Sequence, residues 1–87
     1  MAHDEWLKCF ARADAYRAVI WSNDHAPAHV HVIGKDFDAR VRLNCPQGPV
    51  EYMDHKGALR RDHLNEFLAE IAENYADCCR IWSEIHG

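Results

Sequence analysis

Three histidines fall within seven residues of the segment Asp24-His25-Ala26-Pro27-Ala28-His29-Val30-His31. Imidazole titrates near neutral pH and is also a common metal ligand, so three readings of the segment compete. In the first, His25, His29 and His31 close on one zinc, nickel or iron ion. Asp24 would then serve as a fourth ligand or orient a ring from behind. In the second, His29 and His31 act as base and acid on a phosphodiester beside Asp24, with Arg40 or Arg42 stabilising the developing charge. That is the chemistry of a metal-independent ribonuclease. In the third, the residues only shape a turn through side chain–backbone hydrogen bonds. A single histidine would belong to the third reading; three beside an aspartate weaken it without removing it, and it keeps the largest share of the three.

The elements around the segment decide which residues can meet. Tyr16–Trp21 is rich in aromatic and β-branched residues and reads as a strand. Ser22-Asn23-Asp24 breaks it, and Pro27 stiffens the turn. His29–Ile33 is a second strand. After Gly34-Lys35-Asp36, Phe37–Leu43 alternates without a fault, with Phe37, Ala39, Val41 and Leu43 on one face and Asp38, Arg40 and Arg42 on the other. A short fourth strand over Val50–Met53, entered through Pro46 and Pro49, is expected at an edge. Asp4–Ala15 places Trp6, Cys9, Phe10 and Ala13 at helix-compatible spacing and predicts a short N-terminal helix.

If Val30 and Val32 face the core, His29 and His31 face outward, with Cα atoms about 6.6 Å apart. Arg40 and Arg42 share that face, and Arg17 and Trp21 can join it from the first strand. Arg17, Arg40 and Arg42 are therefore candidates for binding an anion or nucleic acid. His25 sits on the turn and must swing in to join the other two.

After Gly57 the period changes. Leu64, Leu68, Ile71, Tyr75, Cys78, Trp82 and Ile85 recur every three or four residues, and Glu66, Glu70, Glu73, Asp77, Arg80 and Glu84 occupy the opposite side. This spacing predicts one long amphipathic helix. Its stripe and the apolar sheet face each need a cover. The expected fold is a two-layer α+β domain, with three to four antiparallel strands covered on one face by the long C-terminal helix. Tyr75 and Trp82 read as core, and His55, His63 and His86 as isolated, solvated residues.

The chain has 87 residues, enough for a single domain over residues 1–87 and one core. A domain this small is marginally stable alone, so a homodimer is a fair expectation. The net charge of −4 gives no general attraction to nucleic acid or to anionic membranes. Seven protonated histidines would carry it to +3. An acidic start and the lack of any long apolar run point to a cytoplasmic protein with no membrane role. Cys9, Cys45, Cys78 and Cys79 contain no C-x-x-C pair, and in a reducing compartment they read as free thiols.

The stretch from Tyr16 to Val32, with Asp24-His25-Ala26-Pro27-Ala28-His29-Val30-His31 at its centre, resembles the domain of unknown function 4160 family of small bacterial proteins. That family shows an apolar strand followed by Asp-His-x-Pro-Pro-His-x-His. The resemblance runs over residues 16–83, through the alternating strand to the tryptophan at Trp82. Ala28 stands where the family commonly repeats proline, and Asp4–Ala15 does not look like the usual entry strand. The resemblance implies a partner encoded by an adjacent gene, in an arrangement like toxin–antitoxin pairs, and hence a two-protein regulatory module. A metal-binding protein or metal-dependent hydrolase is the main alternative.

Overall fold

The computed structural model describes residues 6–12 and 15–86. The chain runs through β1 (Trp6–Arg12), β2 (Tyr16–Trp21), β3 (His29–Gly34), β4 (Phe37–Arg42), β5 (Glu51–Gly57), α1 (Arg61–Glu73) and α2 (Tyr75–His86). The strands form one sheet in the order β1-β2-β3-β4-β5, every neighbouring pair antiparallel. The architecture is α+β, as expected, with a larger sheet and a divided helical layer.

Alternation along the central strands sets the core. Tyr16, Ala18 and Ile20 from β2, Val30 and Val32 from β3, and Phe37, Ala39 and Val41 from β4 are buried on one face. Phe67 and Ile71 of α1 and Cys78 and Ile81 of α2 close over them. Phe67 is the keystone: its ring lies 5.8 Å from Tyr16 edge-on and 6.1 Å from Phe37 stacked. Burying each such side chain contributes roughly 1.5–3 kcal/mol.

Several expectations are corrected. The segment read as an N-terminal helix carries β1; residues 1–5 and 13–14 lie outside the described part. Trp6, Cys9 and Phe10 fit a helical period, but β2 offers a free edge whose backbone groups need partners. β1 pairs with it through a register shift between Lys8 and Phe10, and such a bulge disguises the alternation of a strand. The fourth strand of the sequence reading is longer, and the sheet has five strands.

The helix is also divided. Asn74 leaves helical geometry (φ −103°, ψ 20°), and its side-chain amide donates to the Glu70 carbonyl at 2.8 Å. Asparagine competes for backbone partners in this way. The apolar stripe continues across the break because only one residue is lost to it.

The cysteines depart from the reading as free thiols too. Cys45, in the loop before β5, is disulfide-bonded to Cys79 of α2. The adjacent Cys78 points into the core, as their divergence on a helix requires. Its neighbour Cys9 of β1 has its thiol pushed up by Cys78 and by burial. Tyr75 reinforces the disulfide side of the fold by donating to the Leu43 and Asn44 carbonyls, 2.7 Å from each. No helix among the described residues is long and apolar enough to cross a membrane.

Candidate metal centre

The site is built where β2 ends and β3 begins. The Asp24 amide donates to the Trp21 carbonyl at 3.2 Å, closing the turn. The Trp21 amide in return donates to Asp24 Oδ2 at 3.1 Å. One carboxylate oxygen is thereby held by the backbone, and Oδ1 is left facing β3. It lies 3.3 Å from His31 Nε2 and 3.6 Å from His29 Nε2. Ligand atoms of Asp24, His29 and His31 all fall within 4.8 Å of one another.

Both imidazoles are also fixed from behind. His29 Nδ1 lies 2.9 Å from the Pro27 carbonyl. A carbonyl only accepts, so Nδ1 carries the hydrogen, and in the neutral ring the Nε2 lone pair faces Asp24. His31 Nδ1 lies 3.2 Å from Asp38 Oδ1. His31 therefore stands between two carboxylates, with only one hydrogen to offer in its neutral form.

Aromatic rings enclose the pair. His29 and His31 are 5.3 Å apart between ring centroids, Trp21 lies edge-on to His31 at 6.5 Å, and Trp82 lies 5.6 Å from His29. Trp82 in turn stacks on His86 at 4.0 Å, and His86 Nε2 donates to the Trp21 carbonyl at 3.1 Å. The last turn of α2 is thus fastened to the site. Side-chain exposure is 9% for His29, 16% for His31 and 12% for Asp24. These groups are shielded, not spread on an open wet face as alternation alone implied.

The predicted residues separate accordingly. His29 and His31 share a face with Arg42 and Arg40, their direct cross-strand partners. His25 is exposed and stands outside the cluster, and Asp24 takes its place beside the other two. Arg40 forms a two-point ion pair with Asp54 of β5, Nε donating to Oδ1 at 2.7 Å. That carboxylate raises the Arg40 guanidinium, and Arg40 holds the Asp54 carboxyl below its ordinary value. Arg42 Nη1 is 3.9 Å from Glu51, and its Nε is buried without a hydrogen-bond partner. Arg17 is opposite Ile33, towards the other end of the same face.

Sequence reasoning missed Asp38 and the last turn of α2. Asp38 pairs with Ile33, so it lies diagonally from His31, within reach for a long side chain. The unbroken alternation of β4 and the short turn before it carry that signal. The packing of Trp82 against His29 has no local signal, because it depends on where α2 crosses the sheet. His63 and His86 were read as isolated; His63 packs against Tyr16 at 5.9 Å and Phe37 at 6.1 Å, and His86 is bound as above.

The model of the family described as Domain of unknown function (DUF4160) matches residues 15–83. The chain belongs to that family. No curated protein and no solved structure matches it. The matched span contains Asp24, His29, His31, Asp38 and Trp82.

Proposed function

We propose that this chain binds one divalent transition metal ion through Asp24 Oδ1, His29 Nε2 and His31 Nε2. The carrying observation is the convergence of two imidazole nitrogens on one carboxylate oxygen while both Nδ1 atoms are engaged from behind. A lone pair on His29 Nε2 opposite an anionic oxygen is unfavourable unless a proton or a metal ion lies between them. Zinc–ligand bonds of about 2.0–2.2 Å at tetrahedral angles set ligand atoms roughly 3.3–3.5 Å apart. The distances to Asp24 Oδ1, 3.3 and 3.6 Å, suit that geometry. A carbonyl behind His29 and a carboxylate behind His31 are the outer partners that metal-binding imidazoles use.

Two imidazoles and one carboxylate suit zinc, iron or nickel. Three protein ligands leave a position for water, which the metal would acidify for hydrolysis. The test is metal content of tag-free protein after zinc loading and desalting. Near-stoichiometric zinc is expected in the wild type and in His25→Ala, with loss in His29→Ala, His31→Ala and Asp24→Ala. Failure of the folded wild type to retain zinc, nickel or iron would overturn the reading.

A second reading, the two-protein module with a partner from an adjacent gene, draws support from β5. This strand lies at the sheet edge and is exposed along most of its length. Edge strands readily pair with another chain. Co-expression should give a complex that co-purifies, and charged-to-proline changes along β5 should dissolve it. Co-purification unaffected by those changes would contradict an edge-pairing partner.

A further inference from the structure

We infer that the metal centre takes a phosphoryl oxyanion, one oxygen on the metal and the others facing Arg40 and Lys56. This rests on the metal reading above and adds the class of ligand. Two clefts on the outer sheet face meet at the site. One, of about 310 Å³, includes Asp24, His29 and His31; the other, of about 440 Å³, includes Asp38, Asp54 and Lys56. His31 and Arg40 line both. A ligand reaching the open side of His31 Nε2 therefore passes alongside the Arg40 guanidinium, its direct cross-strand neighbour.

The Arg40 fork is already aimed. Asp54 takes Nε and Nη2, which fixes the plane and leaves the Nη1 hydrogens for a ligand oxygen. Lys56 is on the same face, opposite Asp38, and makes no ion pair among the described residues. Each carboxylate along the furrow has a partner: Asp24 and Asp38 face the two nitrogens of His31, and Asp54 pairs with Arg40. With a divalent ion bound, the positive charges of the metal, Arg40 and Lys56 together exceed the negative charges of Asp24, Asp38 and Asp54. Arg40 and Lys56 line one cleft with His31, so two cationic side chains flank the approach to the metal, as a multiply charged phosphoryl group needs more than a singly charged carboxylate does. Clefts of a few hundred Å³ admit a ligand up to roughly nucleotide size.

The experiment uses the cobalt(II)-loaded full chain, whose visible absorption reports on the ligands of the metal. Inorganic phosphate, phenyl phosphate, acetate and a short single-stranded RNA are titrated separately. Phosphate and phenyl phosphate should shift the cobalt bands saturably, and acetate should not at equal concentration. Arg40→Gln should weaken phosphate binding by about tenfold, the loss of one charge-assisted hydrogen bond, with Lys56→Gln weakening it less and cobalt affinity unchanged in both. Competition by the RNA would assign the phosphoryl group to a nucleic-acid backbone, and its absence to a small ester. Cobalt bands indifferent to phosphate, equal response to acetate, or wild-type phosphate affinity in Arg40→Gln would overturn the proposal with the metal site intact. Absence of cobalt bands from folded protein would overturn the metal reading itself, and this proposal with it.

Discussion

The corner at Asp24, His29 and His31 and the outer edge along β5 use the same side-chain vocabulary to different ends. Along β5, Arg40–Asp54, Arg42–Glu51 and Tyr52–His55 are formed by half-exposed or exposed side chains. Such pairs contribute little, because water competes for every partner. At the corner, Trp21 and Trp82 shield the imidazoles, and each Nδ1 has a defined partner. Polar groups withdrawn from water must be satisfied internally, and the two Nε2 atoms are left aimed at one oxygen. Burial is what separates a site from a set of surface contacts.

The two regions are also fastened differently. The chain entering β5 is tied covalently to α2 by Cys45–Cys79. The corner depends on the fit of Trp82 and His86 at the end of that helix.

The sharpest way to break the contrast is His29→Ala, which should abolish metal retention in protein that still unfolds cooperatively; His55→Ala on the β5 side should leave retention unchanged. Equal loss in both would mean that the corner is not special. Next, reduction of Cys45–Cys79 should lower unfolding stability by about 2–4 kcal/mol, the usual contribution of a native disulfide. Chemical denaturation with and without reductant measures it, and metal binding should survive, because no ligand lies in that loop. Loss of binding on reduction would show that the two regions are one mechanical unit.

Asp38→Asn should weaken metal affinity by about 10–100-fold, the range found for outer partners of metal-bound imidazoles. Competition with a colorimetric chelator gives the ratio, and unchanged affinity would remove Asp38 from the site. The smallest effect is expected at Asp54. Arg40 holds its carboxyl below the ordinary value of 3.8. The folded state therefore gains stability that is present above that value and fades as pH falls below it. Asp54→Asn should flatten that acid limb slightly and leave stability at neutral pH within error, because the pair is exposed.

Much of this arrangement was legible before any coordinates. Strict alternation in β4 and the valines of β3 placed His29, His31, Arg40 and Arg42 on one face, and the register agrees. Asp24 was visible as a neighbour of the histidines, but its advantage over His25 was not. That choice depends on a turn in which the Trp21 amide captures one carboxylate oxygen and turns the other inward. β1 was missed because its bulge mimics a helical period, and the break at Asn74 because one residue barely disturbs the stripe. The disulfide and the Trp82 contact join parts of the chain far apart in sequence, for which local pattern carries no signal.

The most direct test is a crystal structure of the zinc-loaded chain with anomalous data at the zinc edge. The account predicts one peak at about 2.0–2.2 Å from Asp24 Oδ1, His29 Nε2 and His31 Nε2, with His31 Nδ1 still on Asp38 and His25 uninvolved. A peak bound through an Nδ1 atom, a peak centred on His25 or on the β5 edge, or no peak at the corner would contradict it.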